Sequence, residues 1–241
     1  MSSYIDIHSH ILPQIDDGAK NIDMSIKMLR IAQQNGIRSI ILTPHNKPMH
    51  HNASPEKIRS LTDRLQEAAD RAGIEIRLYV GNEIYYRSNI LEILEERKAS
   101  TLAESMYVLI EFGPMDDFDY IRNGIYQVLS GGYRPILAHV ERYGSIASSV
   151  ERVREIVNMG CYIQINAGSV NGQYGFGTKK FVRQILKQRL VHFVATDAHD
   201  DVKRKPCLSD SAKYIEKKLG EEYAEQILKE NPEKVIANEY I

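Results

Sequence analysis

The stretch "DIHSHILPQIDDGA", Asp6–Ala19, closes a short Ile-rich run with two histidines one residue apart, then paired aspartates and a glycine. Histidine is not a favoured strand former, and burying it unpaired costs free energy. Side chains on a strand repeat every two residues, so His8 and His10 point the same way. A strand that delivers two imidazoles at its C-terminal end suits the mouth of a parallel α/β barrel, the face on which such barrels build their active sites.

Outward from this stretch, short apolar runs alternate with amphipathic helices. The strand candidates are "YIDIH" (4–8), "SIILT" (39–43), "IRLYVG" (76–81), "MYVLIEF" (106–112), "RPILAH" (134–139), "CYIQIN" (161–166) and "VHFVAT" (191–196). They are rich in Ile, Val and Tyr and mostly continuous, as strands covered on both faces should be. Ile22, Ile26, Leu29 and Ala32 hold one helical face, and Gly36 is its stop. Ser54 and Pro55 form a cap and first helical position for a helix ending near Gly73. Further helices are expected over 89–98, 118–130, 149–159, 178–189, 208–219 and 221–230. The alternation implies parallel strands with right-handed crossovers. Seven strands in 241 residues predict one domain, 1–241, an α/β barrel short of eight strands or distorted. An open doubly wound sheet is the competing architecture.

The polar residues that end these strands form a set. His8 and His10 end the first, His45 follows the second in "TPH", and Glu83 follows the third in "GNE". Glu111 ends the fourth, His139 the fifth, and Asp197 and His199 follow the seventh in "TDAH". A single His or Glu at a strand end is usually a loop residue. Here five of the eight histidines fall on one face, together with the carboxylates. With Asp17 added, these are too many ligands for one ion. Two or three divalent metals fit the count, and mixed imidazole and carboxylate ligands suit Mn, Fe or Zn better than Ca or Mg. No lysine ends strands three to five to serve as a modified bridging ligand, as in binuclear amidohydrolases, so Glu83 is the candidate bridge. His192 begins a strand on the opposite face, and His50 and His51 lie in a loop where they could line the mouth. Asp16 reads as a cap or turn residue before Gly18. Gln164 and Asn166 read either as barrel-interior packing or as hydrogen-bond partners of a ligand. Arg142 and Arg204 stand near the cluster in sequence, and a guanidinium offers a planar fork for phosphate oxygens. Lys203 and Lys205 read as solvated. A multinuclear site lowers the pKa of bound water, orients an ester and stabilises the leaving oxygen. Together with arginine, it points to phosphate monoesters.

The formal net charge of −1 gives no basic face for nucleic acid. Cys161 and Cys207 form no CxxC pair and read as reduced thiols, which fits the cytoplasm. "MSSYIDIH" lacks the charged head and apolar core of a secretory signal, and no apolar run approaches the length of a membrane span. Oligomeric state is not legible.

The motifs "DIHSHILPQIDDGA", "TPH", "GNEI", "LIEF", "AHVERY" and "TDAHD" resemble those of the PHP (polymerase and histidinol phosphatase) superfamily. They are most similar to its manganese-dependent protein-tyrosine phosphatases of bacterial capsule and exopolysaccharide operons. The resemblance runs from residue 4 to about residue 210, and the "HSHILP…DDGA" start is specific to that branch. It implies a distorted TIM-like (β/α)7 barrel with a trinuclear site at the C-terminal ends of the strands. It implies metal-ligand roles for His8, His10, Asp17, His45, Glu83, Glu111, His139, Asp197 and His199, and phosphate or leaving-group roles for Arg142 and Arg204. The implied substrate is the phosphotyrosine tail of a bacterial tyrosine autokinase. Asn46, Val140 and Tyr143 depart from the family pattern and bear on the shape of the substrate pocket. A histidinol-phosphate-type small-molecule phosphatase is the nearest alternative. A metal-stabilised module that only binds the kinase is another.

Overall fold

The computed structural model describes residues 3–241. Its elements run β1 (Tyr4–Ser9), α1 (Ile22–Gln34), β2 (Ile37–Leu42), β3 (His45–Asn46), α2 (Pro55–Arg71), β4 (Arg77–Val80), β5 (Glu83–Tyr85) and α3 (Ile90–Glu95). They continue β6 (Tyr107–Glu111), α4 (Phe118–Ser130), β7 (Arg134–Leu137), α5 (Val150–Asn158), β8 (Tyr162–Asn166), α6 (Ala167–Asn171), α7 (Phe176–Lys187) and β9 (Phe193–Ala195). Helices α8 (Ser209–Leu219), α9 (Glu221–Glu225) and α10 (Asn231–Ala237) close the chain. No helix among the described residues is long and apolar enough to cross a membrane.

All strand pairs are parallel. One sheet runs β1-β2-β4 and the other β3-β5-β6-β7-β8-β9. A bridge between Ser9 and Ala198 joins the two ends, and Asp197 N donates to the His8 carbonyl at 2.9 Å. Two staves are interrupted: β2 continues as β3, and β4 as β5. Counted as staves there are seven, so the curled sheet is the expected distorted barrel. The sequence pattern missed β3 and β5, which are two and three residues long and carry His45 and Glu83.

Local chemistry sets the helix starts. Asn21, Ser54 and Ser149 each accept a backbone N–H of the first turn, at 2.9, 3.3 and 3.4 Å, and Pro55 opens α2. Three expected boundaries need correction. The third helix stops at Glu95, because Arg97 turns into the left-handed region at φ 54°. The expected helix 178–189 lies at 176–187, ending as Arg189 turns left-handed at φ 57°. The expected 221–230 helix is α9 followed by a wide π turn, Gln226–Glu230. Pro232 has no N–H to offer, and its ring crowds the carbonyl four residues back, which favours this widening.

The interior has two levels. Ile5, Ile7, Ile41, Leu109, Ile136 and Phe193 fill the barrel, with Val235 of α10 at its floor. Above them the inward column turns polar, ending in Glu111 on β6 and in Gln164 and Asn166 on β8. The alternate positions, such as Ile84, Ile110, Leu137, Ile165 and Val194, pack under the helices. Each such fully buried side chain contributes about 1.5–3 kcal/mol. This double coverage gives the strands their continuous apolar reading.

Candidate metal centre

All nine expected metal-ligating side chains meet at the C-terminal mouth of the barrel. The arrival of His8 and His10 is not simple alternation. Ile5 and Ile7 already face the barrel interior, so an unbroken strand would turn His8 and His10 outward. The register of β1 against β2 breaks between Asp6 and Ser9. A bulge of this kind re-aims side chains, and here both imidazoles face the centre. Their Nε2 atoms lie 3.3 Å apart.

Glu83 sits at the middle. Its Oε1 lies 2.7 Å from His139 Nε2 and 3.4 Å from His8 Nε2. Its Oε2 lies 2.8 Å from His45 Nδ1 and 3.3 Å from His10 Nε2. Glu111 Oε1 is 3.3 Å from His45 Nδ1. Asp17, exposed at the rim, lies 3.4 Å from His45 Nε2 and 3.6 Å from His199 Nε2. Asp197 Oδ1 is 3.6 Å from both His8 Nε2 and His10 Nε2. Four groups of three or four such ligand atoms lie within 4.8 Å of one another, and they share His8, His10, His45 and Glu83.

The donor set fits divalent cations on a specific observation. His45 Nδ1, Glu83 Oε2 and Glu111 Oε1 are buried, close together, and make no hydrogen bond. Ligand atoms about 2.1 Å from one ion lie about 3.0–3.4 Å from each other, and the distances across this cluster, from 2.7 to 3.6 Å, bracket those values. Electrostatics agree. Burial opposes a proton on His10, but the carboxylates of Asp16 and Glu83 outweigh it and push its pKa up to about 9. Burial likewise opposes protonated His45, yet Asp17, Glu111 and Glu83 raise it to about 12. Burial alone would raise Glu83; the surrounding histidines hold it well below the ordinary carboxylate range. A site of this kind exchanges protons for cations.

Buried partners set the tautomers. His10 Nδ1 donates to Asp16 Oδ2 at 2.7 Å, His8 Nδ1 to Gln164 Oε1 at 3.1 Å, and His199 Nδ1 to the Asp197 carbonyl at 3.0 Å. Each leaves Nε2 free to face the centre, as ligating imidazoles require. Asp16 is therefore more than the turn residue expected from sequence. Its Oδ1 does accept from Gly18 N at 2.9 Å, but its Oδ2 also accepts from His45 N at 3.1 Å. Gln164 also accepts from His139 N at 2.8 Å and donates to Asn166 Oδ1 at 2.9 Å. Asn166 donates to Asp197 Oδ2 at 2.8 Å.

Arg142 and Arg204 converge on that same Asp197 oxygen, at 2.5 and 2.8 Å. They come from separate loops. The Arg204 loop is folded around Asp200, whose Oδ1 accepts from the backbone N–H groups of Val202, Lys203 and Arg204. His139 and Asp197 both adopt left-handed backbone, at φ 33° and 51°, strain of a kind that clusters at functional sites.

Sequence reasoning missed several participants. Lys47 Nζ lies 3.3 Å from Glu111 Oε1. Buried Glu141 accepts from Asn166 N at 2.8 Å and from Ser169 Oγ at 2.6 Å. Buried Asp6 accepts from Thr196 N at 2.9 Å and Thr196 Oγ1 at 2.5 Å, tying β1 to the end of β9. The one sequence signal for Asp6 is a carboxylate inside an otherwise apolar run; Glu141, between Val140 and Arg142, carries no such signal. His50 and His51 do line the mouth, in a cavity of about 300 Å³ shared with Asp17 and His45. His192 lies apart: its Nδ1 accepts from Ile163 N at 3.1 Å, and burial lowers its pKa to about 4. Lys203 and Lys205 are exposed, as expected. Val140 and Tyr143 are buried in the core, where Tyr143 donates to the Ala138 carbonyl at 3.0 Å. Asn46 is buried and holds Arg87.

Residues 4–237 match the family described as capsular polysaccharide synthesis, CpsB/CapC. The chain is 36% identical to the tyrosine-protein phosphatase CpsB of Streptococcus pneumoniae, over 98% of this chain and all of that protein. It is also 36% identical to the tyrosine-protein phosphatase YwqE of Bacillus subtilis strain 168, over 98% of this chain and 93% of that one. A chain from the crystal structures of YwqE from Bacillus subtilis and CpsB from Streptococcus pneumoniae, described as unique metal-dependent tyrosine phosphatases, superposes with a TM-score of 0.92 at 34% identity, covering 98% of this chain and 96% of that one. The phosphotriesterase homology protein of Escherichia coli shares the fold alone, with a TM-score of 0.64 at 11% identity over 98% of this chain and 99% of that one.

Proposed function

We infer that this chain, which belongs to the CpsB/CapC family of capsular polysaccharide synthesis, is a metal-dependent protein-tyrosine phosphatase. The observation that carries the reading is the convergence of buried, unbonded imidazole and carboxylate atoms beside two guanidinium groups. Two or three divalent ions, manganese first with iron or zinc as the chemical neighbours, would be held by His8, His10, Asp17, His45, Glu83, Glu111, His139, Asp197 and His199. Glu83 would be the shared ligand, because its two oxygens face different histidines. Bound there, the ions supply an activated water at neutral pH and stabilise the charge that develops on the departing tyrosyl oxygen.

The chain's own groups do the positioning. Arg142 and Arg204 present planar forks to the non-reacting phosphate oxygens, and Asp197 Oδ2 holds both in place until the substrate arrives. Asp16, Gln164 and Asn166 keep the ligands in the productive tautomer and orientation. Neither cysteine lies in this set: Cys161 is buried, and burial pushes its thiol pKa well up. The substrate proposed is the phosphotyrosine tail of a bacterial tyrosine kinase in the cytoplasm, whose dephosphorylation regulates capsule or exopolysaccharide synthesis.

The test is phosphate release from a phosphotyrosine peptide by metal-stripped protein reconstituted with manganese, with His10→Ala as control. Manganese-dependent release that disappears in the variant is the expected result. No release by the wild type with manganese demonstrably bound would overturn the reading; turnover of histidinol phosphate alone would replace it with small-molecule hydrolysis.

A further inference from the structure

Beside the metal centre lies a larger cavity of about 690 Å³ that none of the roles above uses. The two are neighbours through β3. His45 turns its ring into the centre, while the next residue, Asn46, lines the larger cavity. They also share a rim, since His50, His51 and Asn52 line both this cavity and the smaller one that holds Asp17 and His45. The volume falls in the range that holds a small ligand or a side chain, about 300–1,000 Å³.

Its charge is one-sided. Arg87, Arg97 and Lys98 line it, against one lining carboxylate, Glu56. Lys98 is paired with Glu96. Arg87 and Arg97 make no ion pair among the described residues. Arg87 is also half-buried: one nitrogen donates to Asn46 Oδ1, while its Nε is buried without an acceptor. A guanidinium is most stable when its fork meets a carboxylate or a phosphate, and a buried donor without an acceptor is unfavourable. The two guanidinium groups therefore favour an anion, and the cavity lies next to the proposed phosphatase centre.

We propose that this cavity is a substrate subsite that binds an anionic side chain of the peptide, a carboxylate or a second phosphate, close in sequence to the phosphotyrosine being hydrolysed. The proposal rests on the phosphatase reading above. An extended peptide advances about 3.3–3.6 Å per residue, so a subsite one strand away from the centre is reached within one to three residues of the target tyrosine. Arg87 is held by Asn46 and therefore pre-aimed; Arg97, exposed on the rim, completes the clamp. Asn46 is thus the anchor of the anion-binding arginine.

The test compares phosphate release from three phosphotyrosine peptides by the manganese-loaded enzyme. One carries alanines within three residues of the phosphotyrosine, one glutamates, and one a second phosphotyrosine blocked against hydrolysis as a phosphonate. The expected result is a kcat/KM about tenfold higher for an anionic peptide than for the neutral one, expressed through KM. The ratio should shrink as salt rises, and it should fall towards one in the Arg87→Gln/Arg97→Gln double variant. The arm with the greater gain tells carboxylate from phosphate. Equal kcat/KM for all three peptides in the wild type, or a preference that survives the double variant, would overturn the subsite while leaving the phosphatase standing. Hydrolysis of none of the three would overturn both. Arg97→Glu alone, an exposed change, guards against misfolding of the double variant: it should invert the preference, and an unchanged preference there counts against the proposal.

Discussion

Replacing Asp16 by Asn removes one oxygen from the centre of the ligand-orienting network and leaves the backbone turn intact. The remaining amide oxygen can still accept from Gly18 N, as Oδ1 does now at 2.9 Å. The new NH2 group then faces two donors, His10 Nδ1 at 2.7 Å and His45 N at 3.1 Å. A hydrogen bond to a charged group contributes about 1.5–3 kcal/mol, and the His10 contact is one. Removing an outer partner of a ligating histidine costs about 10- to 100-fold in metal affinity or activity, which is the same energy on another scale. The expected outcome is therefore a 10- to 100-fold rise in the manganese dissociation constant by calorimetry. Turnover of a phosphotyrosine peptide should fall at limiting metal and recover partly at saturation. His10 should also lose part of its elevated proton affinity, since Asp16 and Glu83 together raise it against the opposing effect of burial. Affinity within twofold of wild type, in a variant with unchanged thermal stability, would refute the assignment of Asp16 as the group that orients His10.

Other outcomes follow from the same geometry. A Cβ at Gly18 would sit 2.0 Å from the His10 carbonyl oxygen, so Gly18→Ala should destabilise by about 1–3 kcal/mol in urea unfolding and weaken manganese binding; a wild-type midpoint would show that the Asp16 turn is not tight. Arg204→Lys loses the planar fork and should lower kcat/KM on phosphotyrosine peptide by about ten- to a hundredfold, whereas near-normal turnover would remove Arg204 from phosphate binding. For His192, the folded pKa of about 4 lies below the unfolded value of about 6.5. Between these values the unfolded chain binds more protons, so this contribution to stability is lost as pH falls from 6.5 towards 4, by about 2–3 kcal/mol. His192→Gln keeps an acceptor for Ile163 N and should flatten that part of the pH–stability curve relative to wild type; parallel curves would sink the assignment.

The residues with distinctive chemistry were legible without coordinates. Histidines and carboxylates at the ends of apolar runs stand out, and the common direction of parallel strands puts every C-terminal end, and so its ligand, at one mouth of the barrel. Seven staves, most of the helices and the nine clustered side chains follow from such local patterns, whereas the short α6 and the closing α10 were not expected. The interruptions that make β3 and β5 were not legible, because strands of two and three residues leave too few positions to show a period.

What the fold alone decided is how those side chains are aimed. Whether His8 and His10 face the interior depends on a register break against β2, a property of the pair of strands and not of β1. The groups that hold the ligands come from distant parts of the chain: Gln164 to His8 across 156 positions, Asp6 to Thr196 across 190. Arg142 and Arg204, candidates by spacing in sequence, become a pair because two loops deliver them to the same oxygen of Asp197. Composition fixes which groups can bind a metal or a phosphate. Hydrogen-bond direction, tautomer and cavity shape depend on neighbours that only folding brings within about 3 Å, so no local pattern in the sequence carries them.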